Sequence, residues 1–155
     1  MGTRSLTVIN DAWDNEEICV LYRQYDGYPE GHGKDLLNFL RGMDIVNGMG
    51  SDDGERISNG MDCLAAQIVA HFKKGPGYFY LNAAGTRDVM EEFIYTIYKP
   101  KDKGLHIKVE DVYDEGHVLF DGNLDKYDKW INKSHKTEPA MNESGVSSAI
   151  EASLS

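Results

Sequence analysis

The chain lacks most of the features that usually betray a function. It has two cysteines in 155 residues, and only 16 Lys and Arg against 26 Asp and Glu, a formal net charge of −10. Cys19 and Cys63 each sit inside an apolar run. With no CxxC and no Cys/His pair at zinc spacing, they exclude a disulfide framework and a familiar structural metal site. The deficit of cations argues against coating duplex nucleic acid, because such binding displaces phosphate counterions with a surplus of Lys and Arg. No apolar run approaches the roughly 18–20 residues that span a bilayer, and no signal-peptide core follows the first residues. The opening Met1-Gly2 resembles a myristoylation start, but Leu6 stands where Ser or Thr is required. No fixed-period repeat suggests a solenoid. These absences lead us to expect a cytoplasmic protein without membrane partner, cofactor or metal.

What is present is enough for one domain. A hydrophobic share of 41% can build a core, and a charged share of 27% is ordinary for a globular chain. Arg4 to Asn10 and Glu17 to Gln24 read as two strands, with Ile18, Val20 and Tyr22 sharing one face of the second. Lys34 to Arg41 has Leu36, Leu37 and Leu40 at helical spacing, and Gly42 can end that helix. Residues 43–58 read as a long polar loop, with Asp52-Asp53 a solvated pair inside it. Met61 to Lys74 is the strongest helix: Met61, Leu64, Ala65, Ile68, Val69 and Phe72 form one continuous stripe. Ser58 or Asn59 can cap it. Tyr78–Leu81, Glu92–Tyr98, Leu105–Val112 and Val118–Phe120 read as strands with short connections, which favour antiparallel neighbours. Leu124 to Asn132 reads as a last helix, with Asp121 to Asp125 as its turn and cap. The expected fold is α+β: a mostly antiparallel sheet of about six strands with two to three helices, in the order ββ-αα-ββββ-α. The domain is expected to span 1–133. From Ser134 to Ser155 aromatics and periodicity vanish, and a Ser-rich disordered tail is expected.

Chemistry-bearing side chains concentrate between Arg23 and His32. Arg23, Gln24, Tyr25, Asp26, Tyr28, Glu30 and His32 lie within ten residues, beside Gly27, Gly31 and Gly33, where a strand passes into a helix. Glycines and a helix start can admit an anion, Arg23 can clamp phosphate, and Tyr25 or Tyr28 can stack on a base. The competing reading is a turn in which Arg23 pairs with Asp26 or Glu30. Neither GxxxxGK[ST] nor GxGxxG is present. His32 beside Asp26 and Glu30 has the make-up of an acid–base group, but no nucleophile or oxyanion donor accompanies it, so no catalytic residue is assigned. Arg87, in a polar loop, can meet an anion or pair with Asp88 or Glu91. Arg4 completes the candidate ligand-binding set of Arg4, Arg23, Gln24, Tyr25, Asp26, Tyr28, His32 and Arg87.

The stretches Gly2 to Thr7 and Leu21 to Gly33, together with Asn59 to His71 and Tyr78 to Arg87, resemble small uncharacterised proteins of bacteriophages and prophages over roughly residues 2–121. The resemblance brings no activity and no site residues. It implies a phage-encoded protein acting in the bacterial host cytoplasm, a setting in which small proteins often counter host immunity. Three functions then compete. The first is a non-enzymatic binder of a small phosphorylated ligand such as a nucleotide immune signal, expected as a homo-oligomer. The second is an acidic inhibitor of a basic, nucleic-acid-binding host protein. The third is a small phosphoesterase-type enzyme using His32.

Overall fold

The computed structural model describes residues 2–48 and 56–134. Of the expected tail from Ser134 to Ser155 only Ser134 is described, and it ends the last helix instead of opening a tail; residues 135–155 and the pair Asp52-Asp53 lie outside the described residues. A six-stranded sheet is built from β1 (Ser5–Asn10), β2 (Glu17–Arg23), β5 (Phe79–Asn82), β6 (Phe93–Tyr98), β7 (His106–Asp111) and β8 (His117–Asn123), in the spatial order β5-β2-β1-β6-β7-β8. Every neighbouring pair is antiparallel except β1 and β6, which run parallel. Three helices, α1 (Lys34–Leu40), α2 (Gly60–Phe72) and α3 (Leu124–Ser134), complete an α+β architecture. The order matches expectation except between α1 and α2. There the supposed loop contains β3 (Asp44–Val46) and β4 (Ile57–Asn59), a small parallel pair. With only Ile45 and Val46 on one side and Ile57 on the other, these three-residue strands are too short to raise a period-two signal amid Gly and Asp.

One face of the sheet carries the main core. Ile9, Leu21, Tyr95, Ile97, Ile107 and Val109 pack against Leu36, Leu37 and Leu40 of α1, the Met61–Phe72 stripe of α2, and Tyr127 and Ile131 of α3. The other face has a smaller cluster, Leu6, Val8, Val20 and Ile94, with Tyr22, Val89 and Val112 packed against it. A bulge decides how β2 divides between these faces. The register passes from Ile9↔Cys19 directly to Asn10↔Glu17, so Ile18 joins Cys19 in the main core instead of lining up with Val20 and Tyr22. An extra residue in one strand shifts every side chain before it to the opposite face.

The ends of the helices correct two expectations. Gly42, at φ +77°, closes α1 as expected, and Arg56 adds a second closure by donating to the carbonyls of Phe39 and Arg41. At the start of α2 neither Ser58 nor Asn59 caps through its side chain: Asn59 Oδ1 accepts the Gly48 N–H, and the Ser58 hydroxyl donates to the Gly60 carbonyl. Asn123 does cap α3, accepting the Lys126 N–H at 2.9 Å, while Asp121 and Gly122 belong to β8. After α2, Lys73 turns back and donates through Nζ to the carbonyls of Gly77 and Phe79 at 2.8 and 2.6 Å. No helix among the described residues is long and apolar enough to cross a membrane.

Candidate functional site

β2 ends at Arg23, on the helix-covered face, and the residue is only 5% exposed. A buried guanidinium must find acceptors. Nε donates to the Tyr25 carbonyl at 2.6 Å, one terminal nitrogen donates to His32 Nδ1 at 3.0 Å and to Asp35 Oδ2 at 2.8 Å, and the other donates to the Tyr78 hydroxyl at 2.7 Å. Four of its five N–H groups are thereby engaged. Proximity in sequence favours Asp26 or Glu30 as the carboxylate partner; the fold supplies Asp35 from the first turn of α1.

The bond from Arg23 also fixes the state of His32. Arginine cannot accept, so Nδ1 is the acceptor and the neutral ring carries its proton on Nε2, which donates to Thr7 Oγ1 at 2.6 Å. His32 is fully buried, and desolvation, reinforced by the Arg23 charge, pushes its pKa well below the ordinary value. Both ring nitrogens are engaged inside the core, among Phe72, Phe79 and Tyr95. An acid–base role for His32 would require the core to open.

The glycines of the same segment serve packing. A Cβ on Gly33 would meet Ile131 Cδ1 at 2.8 Å and the Tyr127 hydroxyl at 2.9 Å, and one on Gly27 would meet Ser5 at 2.7 Å. Buried hydroxyls fasten the segment from below: Tyr95 donates to the Gly27 carbonyl at 2.7 Å and Tyr127 to that of Gly33 at 3.0 Å. Pro29–Gly33 forms a π-helical turn on this base. Burial holds both phenols above the ordinary tyrosine range, with the Tyr127 phenol adding to the shift at Tyr95.

The eight expected residues do not converge. Arg23, Gln24 and Tyr25 gather with Tyr78: Gln24 Oε1 accepts the Tyr78 N–H at 3.3 Å, and the Tyr25 and Tyr78 rings lie 5.5 Å apart. Asp26 and Tyr28 bond to each other at the surface, and His32 is inside. Ser5 lies opposite Arg23 in the register, so Arg4, one residue earlier, falls on the other face of the sheet by alternation. Arg87 sits near the far end of β2 and pairs with Glu17 at 2.5 Å, not with Asp88 or Glu91. Glu91 instead accepts the N–H groups of Asp88 and Val89. Burial raises the Glu17 pKa, but hydrogen bonds from Arg87 and Gly85 outweigh it and hold the carboxyl below its ordinary value.

Where Arg23 reaches the surface, an open groove of about 380 Å³ lies between α1, the end of α2 and the start of β5. It is lined by Arg23, Asp35, Asn38, His71, Phe72, Lys74, Tyr78 and Phe79. Seven of these residues fall outside the Arg23–His32 segment and Arg87, and none of the seven was among the expected site residues. Asp35 and Asn38 are one turn apart on α1, and Lys74 stood only as the last residue of the expected helix. Gly75-Pro76-Gly77 was the available signal, since it marks a sharp return into the strand that flanks Arg23. Tyr78 itself has φ +72°, following Gly77 at +76°, a strain on the order of 1–3 kcal/mol for a bulky residue and one that tends to cluster at ligand sites. His71 stacks on Phe39 at 4.5 Å. Burial and then Lys74 lower its pKa, against an opposing pull from Asp35. The groove thus offers cations, a carboxylate, an amide and aromatic faces.

A second opening of about 330 Å³, on the other side of the β2–β5 edge, is lined by Tyr22, Gln24, Tyr80, Asn82 and Val89 and has no charged side chain. Among the described residues, no group of three or more His, Cys, Asp or Glu is placed to hold a metal ion. No protein-family model matches the chain, and comparison with curated proteins and with solved structures found no match.

Proposed function

We propose that this protein binds and sequesters a small phosphorylated ligand without transforming it, in the groove between α1, α2 and β5. One observation carries the reading. On a chain of net charge −10, Lys74, an edge of Arg23 and the rings of Phe72, Tyr78 and Phe79 meet in one opening of about 380 Å³. That combination of a few polar groups with aromatic walls is what a small anionic ligand uses. In the setting implied by the phage resemblance, the ligand is a nucleotide immune signal and the protein a counter-defence factor in the host cytoplasm. Sequestration is preferred to phosphoester hydrolysis because His32 is enclosed and neutral. Calorimetric titration with mononucleotides, cyclic dinucleotides and cyclic ADP-ribose isomers tests this. Heat from at least one of them is expected, weakened about tenfold or more in Lys74→Ala, with the ligand recovered intact by mass spectrometry. Silence across the panel would remove the reading, and an altered ligand would turn it into an enzymatic one.

An acidic protein–protein inhibitor is a second reading, favoured by Trp13. It is 90% exposed at the tip of the β1–β2 hairpin, among Asp11, Asp14 and Glu16. The hairpin is held by Asp11 and Asp14 carboxylates accepting the N–H groups of Trp13 and Glu16. Exposed Trp is a frequent interface anchor. This reading requires capture of a basic host protein at low salt that is lost both at high salt and in Trp13→Ala.

A further inference from the structure

We propose that the groove accepts one phosphate together with the hydroxyls of the sugar that bears it, so that its ligand class is a ribonucleoside monophosphate and not a polyphosphate. This deepens the sequestering reading and rests on it.

The charges of the groove set the limit. Arg23 is balanced by Asp35 at 2.8 Å, which leaves Lys74 as the cation of the groove whose charge no ion pair offsets among the described residues. His71 adds little positive charge near neutrality, because burial and Lys74 depress its pKa. About one net positive charge suits one phosphate. A chain of phosphates would carry its further charges towards Asp35, whose side chain is 48% exposed.

Asp35 then gives the site direction. Its bond to Arg23 uses Oδ2, and Oδ1 has no hydrogen-bond partner among the described residues. A carboxylate pinned by an arginine repels phosphate and accepts from hydroxyls, so the phosphate belongs at Lys74 and the sugar diol at Asp35. Asn38, three residues along α1 and on the same face as Asp35, adds an amide able both to donate and to accept. Tyr78, 37% exposed, supplies the ring against which a base can stack, with the nearly buried Phe72 beneath it. A volume of about 380 Å³ lies near the lower end for small-molecule sites and suits a single nucleotide.

The test is calorimetry on the full chain with AMP, 2′,3′-dideoxy-AMP, ATP, ribose 5-phosphate and adenosine. AMP is expected to bind most tightly, with dideoxy-AMP and ATP each weaker by about tenfold. Asp35→Asn, which keeps a side-chain acceptor for Arg23, should erase the difference between AMP and dideoxy-AMP, and Asn38→Ala should narrow it. ATP binding as tightly as AMP, or no penalty for the missing hydroxyls, overturns the inference. If either result still depends on Lys74, the broader reading survives. Ribose 5-phosphate matching AMP overturns the nucleoside assignment. No binding by any of the five compounds, combined with silence across the cyclic-nucleotide panel, sinks both readings together.

Discussion

Arg23 and Arg87 stand near opposite ends of β2 and meet opposite fates. Arg23 is enclosed by α1 and the turn before it, and spreads its bonds over Tyr25, His32, Asp35 and Tyr78. Arg87 lies on a loop outside the sheet and gives its side chain to Glu17, with both partners partly exposed. The bulge at Ile18 lies behind this difference, since it sends Glu17 to the loop side while Arg23 stays with the helices. The same side chain becomes a strut where water is excluded and a fastening where it is not.

Four measurements bear on that contrast. The helix-covered face should lose most on truncation. Leu64→Ala and Ile68→Ala, both fully buried on α2, are expected to cost about 2–5 kcal/mol each in denaturant-derived stability; unchanged midpoints in both would mean that α2 does not close the core. Arg23→Ala should cost about 3 kcal/mol, because it strands the His32 Nδ1, the Tyr25 carbonyl and the Tyr78 hydroxyl. An unaltered melting curve alongside lost ligand binding would make Arg23 a ligand clamp and not a strut.

Acid sharpens the comparison further. The unfolded chain protonates His32 as pH falls through about 6.5, but the folded protein holds it neutral well below that value. Stability should therefore fall on acidification below pH 6.5, with a slope from this residue approaching ~1.4 kcal/mol per pH unit until the folded pKa is reached. His32→Asn should flatten that slope, and equal slopes in the two proteins would show the ring to be open to water. The smallest effect belongs to the outer pair. Arg87→Ala should cost less than about 1 kcal/mol, as surface pairs do, with a loss that shrinks in high salt. A larger loss would mean that the loop from Ala83 to Glu92 is bound into the core more firmly than its exposure suggests.

Much of the fold was legible in the residues because it is written in short periods. The stripe from Met61 to Phe72 needs only i, i+3 and i+4 neighbours to declare itself, and Leu105, Ile107 and Val109 alternate cleanly. The parallel pairing of β1 with β6 was not legible, since nothing in Leu6 or Ile94 names its partner across more than eighty residues. Nor was the bulge, because Ile18 is apolar and fits either face. The candidate site suffered most. Arg23 stood out as a charge at the end of an apolar strand, but Asp35, Lys74 and Tyr78 reach it only through the folding of α1, α2 and β5 around it. Clustering in sequence favoured Asp26, Tyr28 and His32, whose polar groups are largely spent on one another or on the core.

Lys73 has a consequence for how this chain behaves in a crowd. β5 reads Phe-Tyr-Leu-Asn, with no charge and no proline, and it is an edge strand. Such a border is a template on which a second molecule can continue the sheet. The Lys73 ammonium sits on the Phe79 carbonyl and so occupies a hydrogen-bonding position that an incoming strand would need. Lys73→Ala removes the obstacle and leaves the border of Phe79, Tyr80, Leu81 and Asn82 without a charge. Colloidal stability of the acidic chain therefore depends in part on a single basic residue, and turbidity on storage should rise when it is lost.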